Sequence, residues 1–206
     1  MHKEILNDSQ LELLPAMKCF RREYYLVGGT AIALHLGHRR SIDFDMFKSS
    51  AINHKKNIDR LTEAGFHCTV TRRVDEQMNL IVNQVKVTFF QYPFQVLPTE
   101  EFEKYFRLPD LLQLAAMKAY ALGRRSKWKD YVDLYFLLKE HFSIKTISEC
   151  AYKLFGDLYS EKMFRAQLCY YEDVDFTEDI DYMIQNPPTN DAIKNYLTEI
   201  SQKGIM

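Results

Sequence analysis

The chain has 206 residues, of which 47% are hydrophobic and 27% are charged, and its formal net charge is −1. These values indicate a globular chain with a real core, organised as one domain or as one domain with a helical extension. A net charge near zero gives no general attraction to nucleic acid, so any RNA would have to bind through a local basic patch.

The cysteines and the N-terminus bear on the cellular compartment. No cysteine belongs to a Cys-x-x-Cys pair, which is typical of reduced thiols rather than of a disulfide framework or a zinc site. The first residues lack the apolar core of a signal peptide, and no apolar run is long enough to span a bilayer. We therefore expect a cytoplasmic protein.

The first predicted element is a helix over residues 7–22. Asn7, Asp8 and Ser9 are candidate N-caps, because their short polar side chains accept hydrogen bonds from the first free amides. Pro15 is expected to interrupt this helix.

A strand, a glycine turn and a short helix follow. The apolar run Tyr25–Val27 predicts a strand, which ends abruptly in Gly28, Gly29 and Thr30. Helix formers continue up to Gly37, a typical helix stop. A glycine pair at a helix N-terminus lets a phosphate approach the backbone amides.

The segment 41–47 alternates polar and apolar residues and is predicted to be a strand. Asp43 and Asp45 should share one face, while Ile42, Phe44 and Met46 should point into a core on the other. Two neighbouring carboxylates repel each other unless a cation lies between them, and Mg²⁺ suits that position. Taken singly, a Gly-Gly turn or an Asp-x-Asp strand is usually structural; their order and close spacing indicate a nucleotide site.

The next segments predict one helix and three strands, with a hairpin at Asn83-Gln84 and the end of the sheet at Pro93 and Pro98. The helix covers residues 52–65, and the strands cover residues 66–74, 77–82 and 84–92.

Beyond Leu108 the sequence predicts helices. The first runs to Gly123 and carries Lys118 beside an apolar stripe. A lysine there is most often a snorkelling edge residue; in the functional interpretation its ammonium reaches nucleotide phosphates. Asp130 and Asp133 should share one face around the start of the following helix. Further helices are predicted over residues 131–140, 143–155, 160–170 and 191–202.

Two blocks of the sequence resemble a known family. Gly28-Gly29-Thr30, then twelve residues, then Asp43-x-Asp45 resembles the signature of the DNA polymerase β-like nucleotidyltransferase superfamily. The longer string LVGGTAIALHLGHRRSIDFDMF is more closely similar to the AbiEii/AbiGii-type (MenT-like) nucleotidyltransferase toxin family. A second block of the same family, K…R…K-D-x-x-D-L, is matched by Lys118, Arg125, Lys129, Asp130 and Asp133.

This resemblance implies an α+β (α/β) fold with a small mixed sheet and helices, followed by a helical C-terminal part. Residues 1–107 would form the nucleotidyltransferase-like core, and residues 108–206 would complete the active-site cleft, in which the nucleotide lies.

The implied activity is metal-dependent transfer of a nucleoside monophosphate from an NTP to an acceptor, with Mg²⁺ or Mn²⁺ as cofactor. Asp43 and Asp45 would be catalytic metal ligands. By the same resemblance, Gly28, Gly29 and Thr30 would bind the triphosphate, and Arg39 and Arg40 would bind phosphates or RNA. Lys118 would stabilise charge in the transition state. Asp130 would accept the proton of the acceptor hydroxyl or would serve as the third acid of the metal site.

Resemblance also implies the biological context. The acceptor would be the 3′ end of tRNA or another RNA, and the protein would be the toxin of a toxin–antitoxin or phage-defence system, with a cognate antitoxin as partner and no membrane.

One position departs from the superfamily pattern. Thr88 stands where a third carboxylate is usual, so either another acid completes the site or only Asp43 and Asp45 hold metal. The choice between Asp130 and Asp133 as the acid of the second block also stays open. Two alternatives remain: a non-catalytic nucleotide- or partner-binding module, and nucleotidylation of a protein or small molecule.

Overall fold

A computed structural model describes residues 1–125 and 127–203. The chain divides into two compact units, Met1–Asp110 and a second that begins at Leu111. The first unit contains α1 (Asp8–Met17), β1 (Tyr25–Val27), α2 (Gly28–Leu36), β2 (Asp43–Lys48), α3 (His54–Glu63), β3 (Cys68–Val74), β4 (Gln77–Val82), β5 (Val85–Gln91), β6 (Glu100–Phe102) and β7 (Phe106–Leu108).

Five strands of the first unit form one mixed sheet in the order β1-β2-β5-β4-β3. Strands β2 and β5 run parallel, whereas the other three neighbouring pairs are antiparallel. Helices α1, α2 and α3 belong to the same unit. The predicted α/β class with a small mixed sheet is confirmed.

The two faces of β2 differ as the alternation predicted. Phe44 and Met46 are fully buried, while Asp43 and Asp45 are partly exposed. Ile42 does not follow the prediction: it precedes the strand and is 57% exposed. Alternation assigns faces only where the backbone is extended and paired, and β2 begins one residue later.

The hairpin between β4 and β5 turns at Asn83 and Gln84, as predicted. Both residues have positive φ, 48° and 65°, as a two-residue hairpin turn of this hand requires. Val82 and Val85 pair on either side, so the register is fixed directly at the turn.

Two features of the first unit were not predicted. Helix α1 begins at Asp8 with Asn7 as cap but ends at Met17, after which residues 18–20 form a 3-10 turn. Strands β6 and β7 form a small separate hairpin after Pro98, where the sheet region was expected to end.

The second unit is helical, and its elements lie close to the predicted ranges. Helix α5 begins at Trp128, three residues before the predicted start, while Ser143, Ser160 and Thr189 cap the last three helices through their side chains. The helices are α4 (Leu111–Ala121), α5 (Trp128–Glu140), α6 (Ile144–Phe155), α7 (Glu161–Leu168) and α8 (Asn190–Gln202). Among the described residues, no helix is both long and apolar enough to cross a membrane.

Candidate active site

The turn from β1 into α2 brings the backbone against a carboxylate. Gly28 begins α2 with φ +74°, and a Cβ on this residue would lie 2.3 Å from Oδ2 of Asp45. Val27 and Asp45 are direct partners in the sheet, which explains the proximity. Only glycine combines this positive φ with room for the neighbouring carboxylate.

The second glycine makes room for an arginine. A Cβ on Gly29 would lie 2.7 Å from Nη2 of Arg39, whose side chain is almost wholly buried and donates to the Arg40 carbonyl (3.0 Å). The guanidinium of Arg40 donates to the backbone carbonyl of Leu6 (3.3 Å). Both predicted phosphate-binding arginines therefore also hold backbone segments in place.

The hydroxyl of Thr30 is turned into the protein. Thr30 is 1% exposed, and its Oγ1 donates to the carbonyl oxygen of Asp43 and lies 2.9 Å from Oγ of Ser41. These contacts tie the first turn of α2 to the start of β2. Thr30 thereby fixes the backbone from which the Asp43 carboxylate projects.

The carboxylates of Asp43 and Asp45 have the chemistry that suits a magnesium ion. They project two residues apart from one partly exposed face of β2. Thr88, directly opposite Asp45 on β5, supplies no third charge. Within the part of the chain that the structure describes, no three His, Cys, Asp or Glu side chains are grouped to hold a metal ion. Two carboxylates nevertheless suit Mg²⁺, which commonly takes one or two carboxylates together with waters and substrate phosphates.

The second unit contains a buried charge cluster, formed by Lys118 on α4 and by Asp130 and Asp133 on α5. Nζ of Lys118 lies 2.6 Å from Oδ1 of Asp130 and 2.8 Å from Oδ2 of Asp133. Lys118 is 4% exposed, and neither aspartate is exposed at all. Both acids of the second sequence block therefore contact the same ammonium.

Arg125 is the accessible member of this cluster. Its Nε donates to Oδ2 of Asp130 (2.9 Å) and its Nη2 to Oδ1 (3.1 Å), a bidentate pair. The Arg125 side chain is 50% exposed. Arg125 was matched to the second block from the sequence but was given no role in the site. Its position five residues before Asp130 was the signal that could have indicated pairing of the two side chains.

The electrostatics of Asp130 follow from these contacts. Burial alone would raise the pKa of its carboxyl group, but the Lys118 ammonium and the Arg125 guanidinium outweigh burial and hold the pKa below its ordinary value. Asp130 is therefore an ionised hydrogen-bond acceptor at neutral pH.

The charges flanking the cluster have their own partners. Lys129 pairs with Glu178 (2.6 Å). Lys127 pairs with Asp175 (2.7 Å) and with Glu178 (2.9 Å). Through these ion pairs, Asp175 and Glu178 hold the start of α5 in place.

Comparison with known proteins identifies the family. The profile of the nucleotidyl transferase AbiEii toxin family, a type IV toxin–antitoxin system, matches residues 17–168. The chain belongs to the AbiEii nucleotidyltransferase family. It is therefore a nucleotidyltransferase, as predicted, and the matched region contains every predicted site residue.

Individual proteins are also similar to this AbiEii nucleotidyltransferase. The uncharacterized protein aq_aa25 of Aquifex aeolicus is 27% identical over 159 residues, which cover 73% of this chain and 75% of the relative. Among solved structures, the nucleotidyltransferase toxin MenT4 of Mycobacterium tuberculosis aligns with a TM-score of 0.56 at 14% identity, covering 94% of this chain and 82% of its own. JHP933 of Helicobacter pylori aligns with a TM-score of 0.53 at 19% identity, covering 79% and 77%. At these identities the structural matches show a shared fold.

Removing the cluster's ammonium should destabilise this AbiEii nucleotidyltransferase. Lys118→Met removes the ammonium that contacts two buried carboxylates, so we expect a loss of about 3–5 kcal/mol in the free energy of unfolding. Urea denaturation at pH 7 measures this loss. Lys129→Met, which breaks a more exposed pair with Glu178, is the matched control and should cost less than about 1 kcal/mol. Equal losses in the two variants would contradict the assignment of a buried cluster.

The lowered pKa of Asp130 predicts how stability depends on pH. Because its folded-state pKa lies below the unfolded value of about 3.9, its contribution is complete above that pH and is lost as pH falls through the folded pKa. Urea denaturation from pH 7 to pH 3 should show a steeper decline for the native protein than for Asp130→Asn. Glu178, whose pKa the nearby lysines lower to about 2, contributes to both curves, so their difference isolates Asp130. Parallel curves would count against the predicted shift.

Proposed function

We propose that this enzyme transfers a nucleoside monophosphate from an NTP to the hydroxyl group of an acceptor, in a reaction that depends on a divalent metal ion. The observation that carries the proposal is the pairing of two carboxylates with a glycine turn. Asp43 and Asp45 share a partly exposed sheet face, and the Asp45 carboxylate lies directly against the backbone of Gly28.

The triphosphate would bind at the start of α2. The first backbone amides of a helix have no intrahelical acceptor and attract anions, and Gly28 and Gly29 leave this backbone open to a phosphate. The Arg39 guanidinium beside Gly29 adds positive charge to the same turn. Because the Thr30 hydroxyl is buried, we assign Thr30 to positioning the turn against β2.

Asp43 and Asp45 would hold the metal ion, Mg²⁺ or Mn²⁺. When bound, it neutralises charge on the phosphates and on the leaving pyrophosphate. Thr88 adds no charge beside Asp45, which supports a site with two protein carboxylates completed by substrate oxygens.

The chemical step is a displacement at phosphorus. The acceptor hydroxyl oxygen forms a bond to the α-phosphorus, the bond from the α-phosphorus to the oxygen that bridges it to the β-phosphorus breaks, and pyrophosphate leaves with that electron pair. Sequence reasoning assigned the hydroxyl proton to Asp130. Both oxygens of Asp130 already accept hydrogen bonds from cationic groups, and its pKa is lowered, so we propose that the proton passes to solvent water.

We further propose that the buried cluster serves this reaction through Arg125. Asp130 fixes the Arg125 guanidinium by two hydrogen bonds, and Lys118 balances the charge of the two aspartates. The half-exposed guanidinium would bind phosphate oxygens, which its planar fork matches. In this proposal Lys118 and Asp130 are positioning residues; direct contact of Lys118 with phosphate is the alternative that family resemblance implies.

Family membership also supports the biological role that we propose. The acceptor would be the 3′ end of tRNA, and the protein would act in the cytoplasm as the toxin of a toxin–antitoxin or phage-defence system, held in check by a cognate antitoxin. The MenT4 neighbour is itself described as a nucleotidyltransferase toxin.

Neutralising one carboxylate should abolish transfer. With Mg²⁺ and labelled NTPs, we expect the native protein to label RNA and Asp43→Asn to label it at least about a hundredfold more slowly, because several kcal/mol of charge stabilisation are lost. Loss of the free Mn²⁺ signal in electron paramagnetic resonance should report metal binding by the native protein, weakened in the variant. Asp59→Asn, an exposed acid on α3, is the control and should change neither. Undiminished labelling by Asp43→Asn would refute the assignment.

The role of Arg125 has its own test. Arg125→Gln should lower kcat/KM for the NTP roughly ten- to a hundredfold, since hydrogen bonds to a charged group are lost. It should also lower the free energy of unfolding, because the buried Asp130 carboxylate loses its bidentate partner. Arg125→Lys should recover only part of the activity, because an ammonium lacks the planar fork. Arg124→Gln is the matched control, since that neighbouring guanidinium stacks on the Tyr120 ring at 3.8 Å. If Arg125→Gln turned over NTP like Arg124→Gln, direct phosphate contact by Lys118 would be favoured.

A further inference from the structure

The second unit contains an open pocket of about 350 Å³ between the end of α4 and helix α7. Leu122, Met163 and Phe164 give it an apolar wall. Leu122 and Phe164 are buried, whereas Met163 is 59% exposed. Pockets of this size bind small organic ligands when an apolar wall is combined with a few polar groups that fix the orientation of the ligand.

One polar group of this pocket is the side-chain amide of Gln167, on α7. The backbone carbonyl of Gln167 accepts a hydrogen bond from the Tyr170 amide (3.2 Å), but its side-chain amide makes no hydrogen bond to any residue within 1–125 and 127–203. A carboxamide has an acceptor oxygen next to two donor hydrogens. Gln167 can therefore offer a ligand one donor and one acceptor side by side.

The glycine at the end of α4 makes room for this amide. Gly123 has φ +82°, and a Cβ on it would lie 2.9 Å from Cδ of Gln167 and 3.3 Å from its Nε2. Any other residue would be strained by the positive φ and would displace the amide. The turn after α4 and the Gln167 side chain are thus packed closely against each other, although no hydrogen bond joins them.

The pocket adjoins Arg125. Leu122 and Arg125 are paired by an isolated β-bridge, so the backbone of Arg125 lies against the pocket wall. The Arg125 guanidinium, which Asp130 fixes by two hydrogen bonds, is the group assigned above to the phosphate oxygens. Only a ribose separates the base of a nucleotide from its α-phosphate. Phosphates held by Arg125 would therefore bring the base to this part of the unit.

We propose that this pocket binds the base of the donor NTP and that Gln167 determines which NTP is used. The ring packs on Leu122 and on Met163, whose thioether makes favourable contacts with aromatic rings. The amide pairs with adjacent donor and acceptor atoms on the ring edge, as amides do with adenine in DNA. A purely apolar ligand would bury the amide without a partner, which is costly. The inference rests on the proposed function and specifies how its site selects a nucleotide.

Exchange of the amide for a carboxylate should redirect the choice of base. Gln167→Glu replaces the donor by a second acceptor, which matches the two adjacent N–H donors on the pairing edge of guanine and of no other base. The ratio of kcat/KM for GTP to that for each other NTP should rise about tenfold. Gln167→Met, which removes both polar groups, should reduce the native preference among bases. Labelling of total RNA with each of the four NTPs in turn measures these ratios.

Gln202→Glu is the matched control, because Gln202 is an exposed glutamine at the end of α8 that does not line the pocket. It should leave all the ratios unchanged. Binding is measured apart from chemistry by calorimetric titration with the four nucleosides, which lack phosphates. Their Kd values for the native protein should follow the order of the KM values of the NTPs, and Gln167→Glu should change that order in favour of guanosine.

The outcomes separate this inference from the proposed function. Nucleoside binding that depends on Gln167, in a protein that transfers no nucleotide, would support the pocket and refute the reaction. Nucleotide transfer with the same base preference in the native protein and in both Gln167 variants would support the reaction and overturn the inference.

Discussion

The close approach of the Asp45 carboxylate to Gly28 is the constraint around which the first unit is arranged. Any side chain at Gly28 would occupy the space of that carboxylate, and the positive φ of this residue turns the chain from β1 into α2. The same turn puts free helix amides beside the acidic strand. Positive and negative groups are thus held within one turn, as the proposed binding of a metal-bound triphosphate requires.

The charge cluster of the second unit raises a different physical problem. Two carboxylates and an ammonium are removed from water, and each ion costs several kcal/mol to desolvate. Lys118 and Arg125 offset the charges of Asp130 and Asp133, and their geometry is close enough to keep Asp130 ionised. An apolar replacement would make a comparable core, so the buried charges are better explained by the proposed role of the Arg125 guanidinium, which Asp130 orients, than by stability.

Local signals in the sequence were sufficient for most of the sheet unit. Alternation assigned the faces of β2, and Asn83-Gln84 marked the hairpin as a short polar link between two strand segments. The hairpin of β6 and β7 was missed because three-residue strands carry too little periodicity to be recognised.

Local sequence patterns did not predict the contacts between residues that are distant in the sequence. The position of Lys118 beside an apolar stripe suggested an edge residue; it is buried because Asp130 and Asp133 reach it from the next helix. Thr30 was read as a phosphate ligand because of its place in the motif, whereas its hydroxyl faces Ser41, eleven residues away in sequence. The register of β3 against β4 shifts between Val70 and Arg72. This bulge depends on strand pairing, so no periodic pattern in the sequence indicates it.

The parallel pairing of β2 with β5 has a consequence for the folding of the newly made chain. Parallel strands need a crossover, and here it contains α3, β3 and β4, so β2 finds its central neighbour only after all of these have been synthesised. Contacts between residues distant in sequence form late, because closing a long loop costs entropy before any contact compensates for it. A nascent chain that stops short of β5 leaves the strand of Asp43 and Asp45 paired with β1 alone, without its parallel neighbour. Catalytic competence should therefore arise in one cooperative step late in synthesis, rather than gradually along the ribosome.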